Sequence, residues 1–236
     1  MSVDPEILLE AHKEALRRLY KQSLFAFAKH CLGYKDMTKH THGHMVACLE
    51  ADTPRKLIVM PRGTFKSSIG VVGYALWRLI KNPNERILID SEVYTNSKNF
   101  LREIKGHLMQ PSFIDLFGDL RHGQSWREGE ITLSSRTIAY KEASITCSGI
   151  ETVKVGQHYS IIIGDDLNSG NNSATVEGRR KVQDHYKMNQ AILEPDGTYV
   201  IIGTRYAVDD VIGTILSNEL QINKTDEIYH PDFEAY

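Results

Sequence analysis

LIVMPRGTFKSSIG (57–70) passes from a strongly apolar stretch through a Pro-Arg-Gly turn directly into a helix-forming one. Leu57 to Met60 have the length and composition of a buried strand, and the residues from Ser67 to Lys81 have helical periodicity. A strand that turns sharply into a helix makes a cradle for phosphate. Backbone N–H groups and the positive end of the helix point at the anion, a lysine reaches the outer phosphates, and the next hydroxyl holds a divalent cation. The candidate phosphate-binding residues are therefore Pro61, Arg62, Gly63, Thr64, Phe65, Lys66, Ser67 and Ser68, with Ser67 also the candidate ligand of Mg²⁺. The spacing departs from GxxxxGK[ST], because Met60 and Phe65 stand at the two glycine positions. A Lys-Ser pair alone more often simply opens a helix; the strand-turn-helix context, with Arg62 as a fixed cation beside Lys66, favours the phosphate reading.

Further strand-like runs lie at 86–90 (RILID), 159–164 (YSIIIG) and 198–203 (TYVIIG), alternating with helical stretches at 67–81, 93–109, 175–190 and 209–219. Short apolar strands separated by helices predict an α/β fold with a mostly parallel central sheet flanked by helices on both faces. Residues 119–148, rich in Gly, Ser, Thr and Arg, read as antiparallel strands added at the sheet edge. Ahead of the core, Asp4 caps and Pro5 opens a long amphipathic helix that runs to Cys31 and closes near Gly33; a second helix spans 43–50. The polar, unpatterned segment 221–236 reads as a linker.

The run YSIIIGDDLNS (159–169) ends in two adjacent carboxylates. Ligands of open parallel sheets sit at the carboxyl ends of the strands, so these acids are expected to face the same phosphates as Lys66. Asp165 is assigned to the metal and Asp166 to orienting and deprotonating the attacking water. Taken alone, an Asp-Asp pair is more often a turn or a cap. In GTYVIIGTRYAVDDVIGTIL (197–216) another buried strand ends in Gly203, Thr204 and Arg205; Thr204 is placed to sense the terminal phosphate, and Asp209 and Asp210 are read as helix caps.

With 236 residues and 41% hydrophobic content, the chain can bury one sizeable core. A net charge of −2 excludes a global basic field, so any contact with nucleic acid must be local. Three widely spaced cysteines, Cys31, Cys48 and Cys147, point to a reducing compartment, and no apolar run has the length of a membrane span.

The order PRGTFKSS, IIIGDDLNS, then a helix carrying Arg179 and Arg180, then GTYVIIGTRYAVDDVIGTIL, resembles the large subunit of bacteriophage terminase over about Thr41 to Leu216. Tyr206 stands where that family more often has tryptophan. The resemblance implies a P-loop NTPase fold of the ASCE type that hydrolyses ATP with Mg²⁺ and drives double-stranded DNA into the capsid. The implied partners are a homo-oligomeric ring of subunits on the portal protein and the small terminase subunit, in the cytoplasm of the infected bacterial host and with no membrane. It further implies an ATPase domain over 1–220 (helical segment 1–50, P-loop core 51–220), a linker over 221–236 towards a nuclease domain outside this chain, and no nuclease activity in these residues. An adenine-contacting segment upstream of the loop falls on THGHM (41–45), with His44 the residue assigned and His42 and Met45 beside it. A ring ATPase also needs an arginine supplied by a neighbouring subunit; segment 121–142 offers Arg121, Arg127 and Arg136, of which Arg136 is chosen.

Two alternatives stay open from the residues. One is a helicase-like, DNA-stimulated ATPase, although no second RecA-like unit is repeated in the chain. The other is a nucleotide-regulated assembly module whose irregular loop no longer turns over. A zinc site drawing on Cys31 and the histidines at 30, 40, 42 and 44 is a minor third reading, since the usual paired ligand spacing is missing.

Overall fold

A computed structural model of the chain describes residues 4–121, 123–152, 156–219 and 233–235. Eight strands form one sheet: β1 Arg55–Val59, β2 Ile87–Ser91, β3 Trp126–Arg127, β4 Glu130–Ile131, β5 Ile145–Gly149, β6 Tyr159–Asp165, β7 Leu193–Gly203 and β8 Phe233–Ala235. Their order is β3-β4-β5-β2-β6-β7-β1-β8, and every pairing from β5 to β8 is parallel. The helices are α1 Pro5–Gln22, α2 Leu24–Ala26, α3 Lys39–Glu50, α4 Tyr74–Lys81, α5 Tyr94–Leu108, α6 Pro111–Phe117, α7 Gly170–Ser173, α8 Val176–Ile192 and α9 Val211–Thr214. Wide-turn π segments at Phe27–Cys31, Ser68–Gly73 and Ile215–Glu219 join or extend them.

Strand alternation divides the interior into two cores. Ile58, Ile87, Ile89, Ile145, Cys147, Ile161, Ile163, Val200 and Ile202 pack with the N-terminal helices, α4 and α5 on one face. Leu57, Leu88, Ile162, Tyr199 and Ile201 pack under Val182 and Tyr186 of α8 and Ile212 of α9 on the other. Both faces are covered, as near-continuous apolar strands require.

The expected α/β architecture is therefore present, with differences in detail that have local causes. The helix expected from Asp4 to Cys31 breaks at Ser23, whose backbone is extended (φ −132°, ψ 111°) and whose hydroxyl caps Ala26 N–H at 3.2 Å, while Glu50 accepts from Leu24 N–H. α3 starts at Lys39, four residues before the expected Gly43, because Thr38 caps Thr41 N–H. The antiparallel additions are confined to β3 and β4; β5, expected to join them, runs parallel to β2 because the chain returns to the amino end of the sheet before entering it. Most of the segment read as a linker, 221–232 and 236, lies outside the described residues, but Phe233–Ala235 pair with β1 at Arg55, Lys56 and Leu57. Among the described residues no helix is long and apolar enough to cross a membrane.

Candidate active site

β1 delivers the chain to the loop and is pinned from below. The buried Lys56 ammonium donates to the carbonyls of Cys48 and Ala51 and to the hydroxyl of Thr53, tying the end of α3 to the strand. Beyond Val59, Met60 N–H still reaches Gly203 O on β7 at 3.3 Å, and Thr64 Oγ1 donates to Pro61 O at 2.8 Å to close the turn. Gly63 takes φ +78° and Phe65 takes φ +57°. The second value explains how a non-glycine residue serves where the usual motif has glycine: Phe65 adopts the left-handed conformation itself, at a cost of about 1–2 kcal/mol.

The loop is held from the side by α3. With the proton on Nε2, His42 donates to Thr64 O at 3.1 Å, while its Nδ1 accepts from Thr38 N–H at 3.1 Å; its ring meets Phe65 edge-on at 6.4 Å. His42 is buried whereas His44 lies on the exposed side of the same helix. Because α3 begins earlier than expected, the THGHM stretch is helical throughout and presents His42, not His44, to the loop. Met45 is buried beneath Gly70, where an added Cβ would lie 2.8 Å from its Cε and 2.3 Å from Ile202 Cδ1. That close approach seats the helix after the loop directly on β7.

The acidic strand end meets the loop. Ser67 Oγ donates to Asp165 Oδ1 at 2.8 Å, and Lys66 Nζ lies 3.4 Å from Asp166 Oδ2. Asp165 is buried, and burial, with the neighbouring Asp166 charge, pushes its carboxyl up from 3.8 to about 7, although the Ser67 hydrogen bond and Lys66 oppose the shift. Asp166 sits at φ +41° with its N–H on Ile202 O, and its Oδ1 is buried without a hydrogen-bond partner. A hydroxyl and a buried carboxylate form an all-oxygen donor set that fits Mg²⁺. A cavity of about 250 Å³ lined by Arg62, Gly63, Thr64, Phe65, Lys66, Ser67, Ser68 and Asp166 opens at this point.

β7, inserted between β1 and β6, carries the third expected segment. Thr204 Oγ1 donates to Met60 O at 3.4 Å, which places it against the base of the loop. Arg62 donates to the Tyr206 hydroxyl and packs over its ring at 5.8 Å. Arg205 turns back onto the carbonyls of Ala207 and Val208. Asp210, read as a cap, does cap Gly213 N–H at 2.8 Å, and it also accepts from Tyr206 and Ala207 N–H, so a single buried carboxylate folds the whole GTRY turn. Asp209 instead pairs with Arg179 of α8 at 2.8 Å.

Arg136 is not brought to the loop. It lies at the amino end of β2, donating to Glu142 O and Glu85 O and stacked on Tyr140. Glu92, which sequence reasoning passed over, stands just past β2 and accepts from Ser169 and Asn172 in the turn after the acids. Its signal in the sequence was a charged residue at the carboxyl end of an apolar strand. Among the described residues no three His, Cys, Asp or Glu side chains converge as a metal cluster, so the histidines around Cys31 form no zinc site there.

The Thermus phage P74-26 large terminase ATPase domain aligns, in an arginine-to-alanine variant, with TM-score 0.58 over 88% of this chain and 83% of that one, at 14% identity. The same domain without that change gives 0.54 over 88% and 82%, again at 14% identity. The chain has the fold of a phage large-terminase ATPase domain. No protein-family model and no curated protein matches it in sequence. Within this fold, β7 lies between the strand that leads into the loop and the strand that ends in the acids.

Proposed function

We propose that the chain is the Mg²⁺-dependent ATPase of a viral DNA-packaging motor and belongs to the terminase large-subunit family. One observation carries the proposal: Lys66 and Ser67 at the end of β1 meet Asp166 and Asp165 at the end of β6 across an inserted β7. Lys66 is paired with Asp166 here, and an entering triphosphate would draw the ammonium onto its outer oxygens. That exchange frees the Asp166 carboxylate, whose Oδ1 already has no partner, to orient a water and take its proton. Ser67 and Asp165 would hold Mg²⁺, and the chemistry that ion would supply when bound is neutralisation of phosphate charge. Thr204 touches the loop through Met60 O and would pass the occupied state along β7 to the turn that Asp210 organises. Phe65 supplies the backbone conformation of the missing glycine, which counts against an inactive loop and so against the assembly-module reading.

Double-stranded DNA, a ring of copies on the portal, the small terminase subunit and the host cytoplasm complete the proposal, with residues 1–220 as the ATPase domain. The test is Lys66→Ala. Phosphate release should fall by a factor of at least about 10², while Tm stays near the wild-type value because this lysine contributes to the fold chiefly through one 3.4 Å ion pair. Undiminished turnover in the variant would remove the proposal's foundation.

A further inference from the structure

The first part of α1 stands away from the body of the molecule. Residues 4–12 are all exposed, and among the described residues the first ion pair or hydrogen bond from α1 to another element is that of Lys13 with Asp115, followed by Arg17 donating to Leu116 O. This arm of about two turns presents Ile7, Leu8 and Leu9 at 64%, 57% and 55% exposure. Three consecutive large aliphatic side chains on a projecting helix constitute an unpartnered apolar surface. The arm is also acidic, with Asp4, Glu6 and Glu10 and no cation before Lys13 apart from the titratable His12.

The complementary surface lies on the same molecule, towards the other end of α1. A groove of about 290 Å³ opens between the far end of α1, the end of α4 and α6. Its floor is Leu79, Ile80, Leu116, Phe117 and Leu120, and its rim carries Arg17, Lys21 and Lys81. Arg17 is engaged by Glu10 and Glu14, whereas Lys21 and Lys81 are exposed, the latter lying over the Trp77 ring at 3.9 Å. An apolar floor ringed by cations fits an apolar helix flanked by acids.

We infer that the α1 arm of one copy docks in the α1–α4–α6 groove of the next, giving a head-to-tail contact between copies of this chain. The charges decide against the symmetric alternative. Pairing arm with arm would set Asp4, Glu6 and Glu10 against their own images, and like charges in one interface disfavour it. Arm and groove are different patches, so the contact is heterologous: each copy retains one free arm or one free groove, and repetition closes a ring or extends a filament. The contact uses no residue of the nucleotide site, so its failure and failure of the ATPase proposal are separable.

Sedimentation velocity across a concentration series tests it with two surface variants of the full chain, Leu8→Asp in the arm and Lys21→Glu/Lys81→Glu on the rim, both checked for fold by circular dichroism. Self-association should weaken about tenfold or more in each. Mixed at a concentration where each alone is monomeric, the two should form a 1:1 complex, because one retains an intact groove and the other an intact arm. A monomeric wild type, or a mixture that stays monomeric while the wild type associates, overturns the inference. So does association abolished by Leu8→Asp but untouched by the rim variant, which is the arm-to-arm outcome.

Discussion

At the residue scale, the site is built from side chains and backbone held in unfavourable states. Asp165 is a buried carboxyl pushed up to about 7, with burial the main cause. A carboxyl whose pKa is higher folded than unfolded binds its proton more tightly in the native state, so stability falls as pH rises from 3.8 towards 7. Asp165→Asn cannot ionise and escapes that loss. Without nucleotide or divalent cation, the variant should therefore melt well above the wild type at pH 8 and by a clearly smaller margin at pH 5, where only part of the loss has occurred, and it should lose turnover at both; thermal melts at the two pH values decide it, and equal differences would reject the assignment of the charge. Phe65 is the second case. Phe65→Gly relieves a left-handed backbone costing about 1–2 kcal/mol but adds back roughly 0.5–1 kcal/mol of chain entropy. A net gain of up to about 1.5 kcal/mol is expected in urea unfolding, and a loss would mean that the contact of the ring with His42 outweighs the strain. Phe65 also shows why the loop was hard to read: a search for glycine misses it, since what the turn needs is a positive φ, and the identity of the residue only makes that cheap or costly.

At the scale of elements, what was legible followed from periodicity. The apolar runs ending at Met60, Gly164 and Gly203 announced the strands because both faces of a parallel sheet are buried, and the polar residues just past each run marked the site. Less legible were features set by tertiary contact. Nothing local distinguishes His42 from His44, but the helix buries the first under the Thr64 carbonyl and leaves the second on its exposed side. Nor does local pattern reveal that β5 pairs parallel with β2 or that Ser23 breaks the first helix in favour of a bond between Leu24 and Glu50. Asp210 was read as a cap and is more than one. It accepts three backbone N–H groups while fully buried, joining the GTRY turn to α9. Asp210→Ala should cost about 3 kcal/mol, a charged hydrogen-bond network lost with its cap, and should release Tyr206 from Arg62. Urea unfolding gives the first quantity, and a cost under about 1 kcal/mol would reduce Asp210 to an ordinary cap.

At the scale of the whole molecule, the cations near the nucleotide site are already committed. Lys66 is on Asp166, Arg62 is on Tyr206, and Arg205 is bound to the carbonyls of its own turn. Arg136, chosen from the sequence to act on a neighbour, is fixed by two carbonyls at the amino end of the sheet, opposite to the loop. Of the three arginines offered by segment 121–142, Arg127 has its side chain 80% exposed on β3 at the sheet edge, 3.5 Å from Glu130, whereas Arg121 pairs with Asp119. A phosphoryl transfer completed by a neighbour's arginine requires assembly, so specific activity should rise with protein concentration. Arg127→Ala should flatten that rise, lowering the plateau by a factor of about 10³ or more if this guanidinium is the one supplied, while leaving nucleotide binding unchanged. Phosphate release measured across a concentration series, alongside equilibrium binding of a fluorescent ATP analogue, separates the two effects. A variant whose activity climbs as steeply as the wild type would exclude Arg127. A wild type whose specific activity is independent of concentration through the range where sedimentation shows association would exclude a shared site altogether.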